Sequence, residues 1–250
     1  MSIARDQGEG RYVLVRGTEA RLNSMQMDGE RIPAPEGGAR QVALDAIPAD
    51  QLQSIEVSKA VTPDMDADSI GGAVNLITRQ AANKPTMLAS IAGGYNALQR
   101  SAGQKYASGT VGRRVNGGRV GLLAGFSATQ LTRGSENFEV DYAGNTMADM
   151  QLRDYQIERN RYGFNGSGDL RLSDTSTINL RAIVNRFEDY EVNNRIRYRP
   201  GNRRIEHVLK NRNQNQNIRS FSAGANHLLG TGAFLDYRLA YAFAEEIQPD

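Results

Sequence analysis

The fold class this sequence predicts is a small α+β domain followed by the antiparallel strands of a partial transmembrane β-barrel, and three observations predict it. Near residues 81–85 the chain changes from short mixed segments broken by tight turns to long alternating runs joined by polar connections. Within those runs one parity collects apolar and small side chains while the other collects charged and amide ones. This is the period-2 signature of strands with lipid on one face and a hydrated lumen on the other. The connections alternate between short and long, as they do when tight turns lie on one side of a membrane and long loops on the other. We place the domains at 1–82 and 83–250.

In the first domain, Arg11 to Val15 is a β-branched and aromatic run ending at Gly17. Ser24 to Met27 leads into Asp28-Gly29, a strong hairpin-turn dipeptide, and then Arg31-Ile32. Pro48 and Asp50 mark the start of a short helix over Ile47 to Leu52, and Ser54 to Ser58 alternates as a strand. A second helical turn is expected over Ala67 to Ile70, stopped by Gly71-Gly72, with Ala73 to Thr78 as the next strand.

In the second domain about seven strands are expected, near 86–97, 104–115, 118–131, 157–172, 177–189, 207–229 and 233–246. Val120, Leu122, Ala124, Phe126 and Ala128 share a parity, as do Leu235, Tyr237, Leu239, Tyr241 and Phe243. The opposite parity carries Asp169, Arg181, Asp236 and Arg238, charges that a dry sandwich core would exclude but a wet lumen accepts. Asn116-Gly117, Ser173 to Ser176 and Gly230-Thr231-Gly232 read as tight turns, whereas Thr132 to Gln156 and Tyr190 to Glu206 read as long polar loops.

Composition removes several function classes. The 30 basic and 28 acidic residues nearly cancel, so the chain has no electrostatic footprint for nucleic acid. Cysteine is absent, which excludes disulfides, thiolate metal sites and thiol nucleophiles. No segment approaches the roughly 20 apolar residues of a membrane-spanning helix, a test to which barrel strands are blind. Phosphate-binding loops, dinucleotide fingerprints and nucleophile elbows are missing, and no enzyme activity, catalytic residue or cofactor is expected.

Four blocks, RYVLVRG, MQMDGERIP, LDAIPADQLQSIEVSKA and PDMDADSIGGAVNLITR, run from Arg11 to Arg79 and resemble the plug domain of TonB-dependent outer-membrane receptors in the family's order. The last block looks most like the Caulobacter-type and Xanthomonas-type subgroup. The resemblance implies a plug inside a 22-stranded barrel, of which about 7 strands are present here. It also implies import of a scarce ligand, siderophore, carbohydrate, vitamin or metal complex, across the outer membrane of a Gram-negative bacterium, with energy delivered by the TonB complex. By similarity, Arg16 and Glu56 match positions that lock the plug to the barrel wall. Gly17, Asp28, Gly29, Gly71 and Gly72 match its turns, and Arg31, Glu36 and Arg40 match a loop that faces ligand. Lys59-Ala60-Val61 stands where the family often has Lys-Gly-Pro. The signal peptide, the TonB box and the first plug segment are expected to be absent, since the start MSIARDQGEG matches none of them.

Some features admit a plainer reading. Asp64, Asp66 and Asp68 have the spacing that opens a calcium loop, but Ser69 and Asn75 stand where glycine and a bidentate glutamate are needed, so a turn cluster is the better account. His207 and His227 are too far apart to pair as metal ligands, and no metal site is expected. Asn165-Gly166-Ser167 fits a glycosylation sequon inside an expected strand, where it carries no meaning. The basic strip Arg195, Arg197, Arg199, Arg203 and Arg204 reads either as a contact for an anionic ligand or lipopolysaccharide or as a solvated loop. The alternative for the whole chain is a secreted or surface β-rich binding or adhesion module without transport, whose inward faces would be hydrophobic.

Overall fold

The structure, a computed structural model, describes residues 2–6, 9–60, 62, 69–230 and 232–249. Asp64, Asp66 and Asp68, Ala67 of the expected helical turn and Thr231 of the last expected turn lie outside these residues. The described part of that helical turn, Ser69 and Ile70, is not helical.

The N-terminal unit holds two small sheets. Strands β1 (Ser2–Asp6) and β2 (Glu9–Leu14) form an antiparallel hairpin. The sequence reading began only at Arg11 and passed over β1. The second sheet has the order β4-β3-β6-β5, from β3 (Asn23–Met27), β4 (Glu30–Arg31), β5 (Leu52–Ser58) and β6 (Gly72–Thr78). Within it β3 and β6 run parallel, and the other pairs are antiparallel. The helical content among the described residues of this unit is three 3-10 turns, Ala20–Leu22, Leu44–Ala46 and Ala49–Gln51. Pro48 and Asp50 do open a turn, but Leu52 already pairs with Thr78 in the sheet and Arg79 N–H donates to the Gln51 carbonyl, so the helix stops after one turn.

Seven strands then form one antiparallel sheet in which each pairs with the next: β7 (Thr86–Asn96), β8 (Ser101–Val115), β9 (Val120–Ala143), β10 (Thr146–Ser173), β11 (Ser176–Arg199), β12 (Arg204–Leu229) and β13 (Ala233–Ile247). The expected long loops are strand instead. β9 and β10 stay paired from Val120 opposite Leu170 out to Ala143 opposite Thr146, with one register shift between Met147 and Asp149, and Gly144 turns at φ +60°. β11 and β12 stay paired to Arg199 opposite Arg204, across a 3-10 turn and Arg203 at φ +51°. Polarity misled the sequence reading, because a strand with water on both faces needs no apolar parity to keep its backbone ladder.

The outer face of the sheet is apolar and open. Met87, Ile91, Leu122, Phe126, Leu180, Leu239 and Tyr241 are all exposed on it. The belt has a definite edge. Lys105, Gln130, Asn160, Glu188 and Asn215 oppose one another in sequence across five strands, a single polar row toward the long hairpins. On β13 the outward run from Leu235 to Phe243 extends roughly 26 Å along the strand at about 3.3 Å per residue. That is of the order of the apolar band of an outer-membrane barrel, about 25 Å. Phe126→Arg, inside the belt, is therefore expected to cost about 2–4 kcal/mol of stability in a bilayer. Folding into lipid vesicles under denaturant titration measures it, and an unchanged midpoint would place this face in water.

The inner face closes over the N-terminal unit. Val13, Val15, Met25, Met27, Ile32, Val42, Ala46, Ile47, Val74 and Leu76 from the unit share one buried core with Ile183, Phe187 and Ile218 from the sheet.

Candidate functional site

Strand periodicity builds the charged seam between the unit and the sheet. Arg159 and Arg161, two apart on β10, point to the same inner face, and Arg133 of the neighbouring β9 stands opposite Ile157. All three converge on Glu9, the first residue of β2. Arg159 Nη1 lies 2.5 Å and Arg161 Nη2 2.7 Å from Glu9 Oε2, and Arg133 Nη2 lies 3.1 Å from Oε1. Arg159, 1% exposed, also donates through Nε to Asp189 Oδ1 at 3.2 Å. Asp189 Oδ2 in turn accepts from Arg212 at 2.9 Å, and Arg212 reaches Glu191 at 3.0 Å. Arg161 donates to the Asp45 carbonyl at 2.6 Å and stacks over the Phe187 ring at 5.1 Å. Nearby, Glu36 accepts from Arg11 and from the Tyr12 hydroxyl at 3.2 Å, with Gln216 of β12 at 3.5 Å.

The electrostatics of the unit's own groups follow from this geometry. Burial pushes the Glu9 carboxyl up, but Arg161 and Arg159 outweigh it and hold its pKa below the ordinary value of 4.5. Burial, with Glu36 alongside, pushes the Tyr12 phenol up to about 12. For Asp45 burial wins over Arg11, Arg159 and Arg161, and its pKa is raised. One of its carboxylate oxygens is buried without a hydrogen-bond partner among the described residues.

A second contact lies nearer the short turns. Asp28, buried and at φ +53°, accepts from Thr78 N–H at 3.0 Å and from the Thr78 hydroxyl at 2.6 Å. Arg181 of β11 stands 3.3 Å from the same carboxylate, while Arg238 of β13 donates to the Asp28 carbonyl at 2.5 Å and reaches Glu30 at 3.4 Å. Two of the inward charges expected to line a wet lumen, Arg181 and Arg238, thus meet the N-terminal unit, and Asp169 pairs with Arg114 at 2.8 Å within the wall. A third contact is uncharged. Gln51 donates to Asn185 at 2.8 Å over Gly163, where a Cβ would lie 2.5 Å from Gln51 Nε2. This approach requires glycine on the wall.

The other residues singled out in the sequence are distributed as follows. Arg16 (φ +57°) and Gly17 (φ +74°) form an exposed left-handed turn. Glu56 is exposed and accepts from Asn75 at 3.4 Å. Neither Arg16 nor Glu56 pairs with a described charge of the sheet. Gly29 (φ +87°) gives its N–H to Asn75 at 2.9 Å. Gly71 donates to the Leu22 carbonyl at 2.9 Å and is pressed against Thr18 and Asn23. Arg31 and Arg40 are exposed, whereas Glu36 is tied into the seam. His207 meets Asn194 at 2.6 Å and His227 meets Ser176 at 2.5 Å, and the described residues hold no cluster arranged for a metal ion. Sequence reasoning missed Glu9, Arg159, Arg161, Asp189 and Arg212. The shared inward parity of the four wall residues was the available signal, but it does not say which charges meet.

Residues 1–73 match the model of the TonB-dependent Receptor Plug Domain, a stretch that begins ahead of Arg11 and takes in β1. No curated protein matches the chain. Among solved structures, the siderophore receptor PiuA from Acinetobacter baumannii is similar at 13% identity and a TM-score of 0.46, over 96% of this chain and 40% of that one. BauA, the ferric preacinetobactin receptor from the same organism, is similar at 15% identity and a TM-score of 0.42, over 96% of this chain and 42% of that one. The ferric citrate transporter FecA in its unliganded form is similar at 15% identity and a TM-score of 0.43, over 93% of this chain and 42% of that one. The chain spans about two fifths of the length of these structures.

Proposed function

We propose that this chain is the plug and the first barrel strands of a TonB-dependent receptor of a Gram-negative outer membrane, and that the parent protein imports a small ligand with energy supplied through TonB. The observation that carries the reading is a plug-type unit held by buried charges against the inner face of a sheet whose outer face is an apolar belt. A soluble sandwich or adhesion module would bury that apolar face and expose the charged one, the reverse of this arrangement.

In this reading the seam around Glu9 is a plug lock. Buried ion pairs add little net stability, yet separating them strands charges in a dry interface, which suits a domain that must stay seated until pulled. Arg16 and Glu56 are proposed as a further lock against wall strands other than these seven, and Arg31 and Arg40 as ligand-facing. Glu36 serves the seam instead. The outer belt meets lipid, with lipopolysaccharide at its polar edge. The Caulobacter-type and Xanthomonas-type assignment rests on the block from Pro63 to Arg79.

Deleting the parent gene and growing the strain on single iron or carbon sources tests the function. The expected result is loss of growth on one source, reproduced by removing TonB. Unchanged growth on every source, or a defect indifferent to TonB, refutes it.

A further inference from the structure

Arg153 and Arg195 stand directly opposite each other on β10 and β11. Both lie on the inner parity, six residues beyond the Arg159–Asp189 pair of the seam. That is roughly 20 Å of strand, which carries them past the N-terminal unit toward the long hairpins. Like charges directly opposite on one face repel, so the pair calls for compensation. Arg153 has it, with Glu139 at 2.6 Å. Among the described residues Arg195 has only the Gln151 amide oxygen at 3.3 Å, which already accepts from Arg153 Nε at 3.0 Å and Nη2 at 2.9 Å. Its Nε is buried with no partner among the described residues.

The neighbouring arginines differ from Arg195 in having acid partners. Arg197 pairs with Asp149, and Arg212 with Asp189 and Glu191. One row toward the plug, Asn193 faces Tyr155 across the strands; it is 4% exposed, and its Oδ1 is also buried without a partner. This patch of wall thus holds, in Arg195, a guanidinium without an acid partner among the described residues, together with an orphaned donor, an orphaned acceptor and a phenol ring, and Lys210 opposite Asn193 adds to its positive charge.

We propose that Arg195 and Arg153, with Gln151, Tyr155 and Asn193, bind the oxyanion of the imported ligand, a carboxylate or phosphate carrying a neighbouring hydroxyl group. The oxyanion takes the place of the acid that Arg195 lacks, accepting from its guanidinium. The hydroxyl donates to Asn193 Oδ1. The assignment rests on the transport reading, which makes this wall accessible from outside, and it supplies for Arg195 the anion that Arg197 finds in Asp149.

Calorimetric titration of the full-length parent protein in detergent tests it, with gluconate, glucose 6-phosphate and glucose as probes. Gluconate or the sugar phosphate is expected to bind at least about tenfold more tightly than glucose, and whichever binds better identifies the anion. The affinity should fall with added salt, and Arg195→Gln should weaken it by about tenfold. Arg186→Gln on the outer face should leave it unchanged. Equal binding of glucose and gluconate, salt-independent binding, or full affinity in a folded Arg195→Gln variant overturns the proposal. The salt and glucose arms need no variant to fold. A protein that binds gluconate while its deletion strain grows normally would refute transport alone; TonB-dependent growth without anion binding would refute this site alone.

Discussion

Replacing Glu9 by glutamine is expected to loosen the N-terminal unit from the wall by about 3–5 kcal/mol, the usual consequence of removing one partner from a buried charge cluster. Three guanidiniums converge on this carboxylate, and Arg159, almost fully buried, would lose its 2.5 Å ion pair to it. Denaturant titration with hydrogen exchange at the β3 and β6 amides reads the effect; a midpoint within experimental error of the wild type would mean that the seam does not hold the unit. The pH dependence has a definite sign. The Glu9 pKa is lower in the folded protein than the ordinary 4.5, so its stabilisation is complete above about pH 4.5 and disappears as pH falls through the folded value. Asp45 has the opposite sign. Its folded pKa is raised above 3.8, so its contribution is present below that value and is lost as pH rises through the folded one. Acid therefore relieves Asp45 while it undoes Glu9, and the Glu9→Gln variant should lose the acid-sensitive part of the docking.

Gly72→Ala is expected to destabilise the N-terminal unit by about 2–5 kcal/mol through two separate costs. Its φ of +148° lies in a region that side chains avoid, and a Cβ would sit 2.7 Å from the Ser58 carbonyl oxygen and 2.8 Å from Val15 Cγ1. Neither neighbour can yield. Ser58 is held opposite Ala73 in the β5–β6 ladder, and Val15 is wholly buried in the core. Gly17→Ala is the control, since its φ of +74° is strained but nothing lies within 4 Å of the added methyl. It should cost about 1 kcal/mol. Equal effects of the two substitutions in thermal or denaturant unfolding would show that the close approach around Gly72 is unimportant.

Both experiments bear on the proposed mechanism, because a plug must be firm within itself and releasable at its edge. The glycine and the buried aliphatic core make β3, β5 and β6 a rigid body. The wall adds Ile183, Phe187 and Ile218 to that core, and around them the contacts are charged or amide groups, whose separation is costly only until water reaches them.

The seven strands, their order and the lipid-facing parity could be read from the chain because period-2 alternation is a local property, visible within any ten residues. The plug blocks were legible for the same reason, since turn glycines and the strands between them are local. The hairpin extensions of β9 to β12 were hidden: once both faces are wet, alternation no longer separates strand from loop, although Phe138, Val140 and Tyr142 still kept it. β1 was hidden because five residues with two charges among them give too short a pattern to recognise.

The sequence by itself determined the plug-like character of residues 11–79, the antiparallel strands after residue 85 and the sign of each face. The tertiary structure alone decided which charges meet. Glu9 finds Arg159 and Arg161 across some 150 positions, and Asp28 finds Arg238 across 210. No local pattern encodes such pairings, because they depend on how the N-terminal unit sits against the inner face of the sheet. The same holds for Arg195, whose unsatisfied charge becomes visible only once Arg197 and Arg153 have taken the available acids.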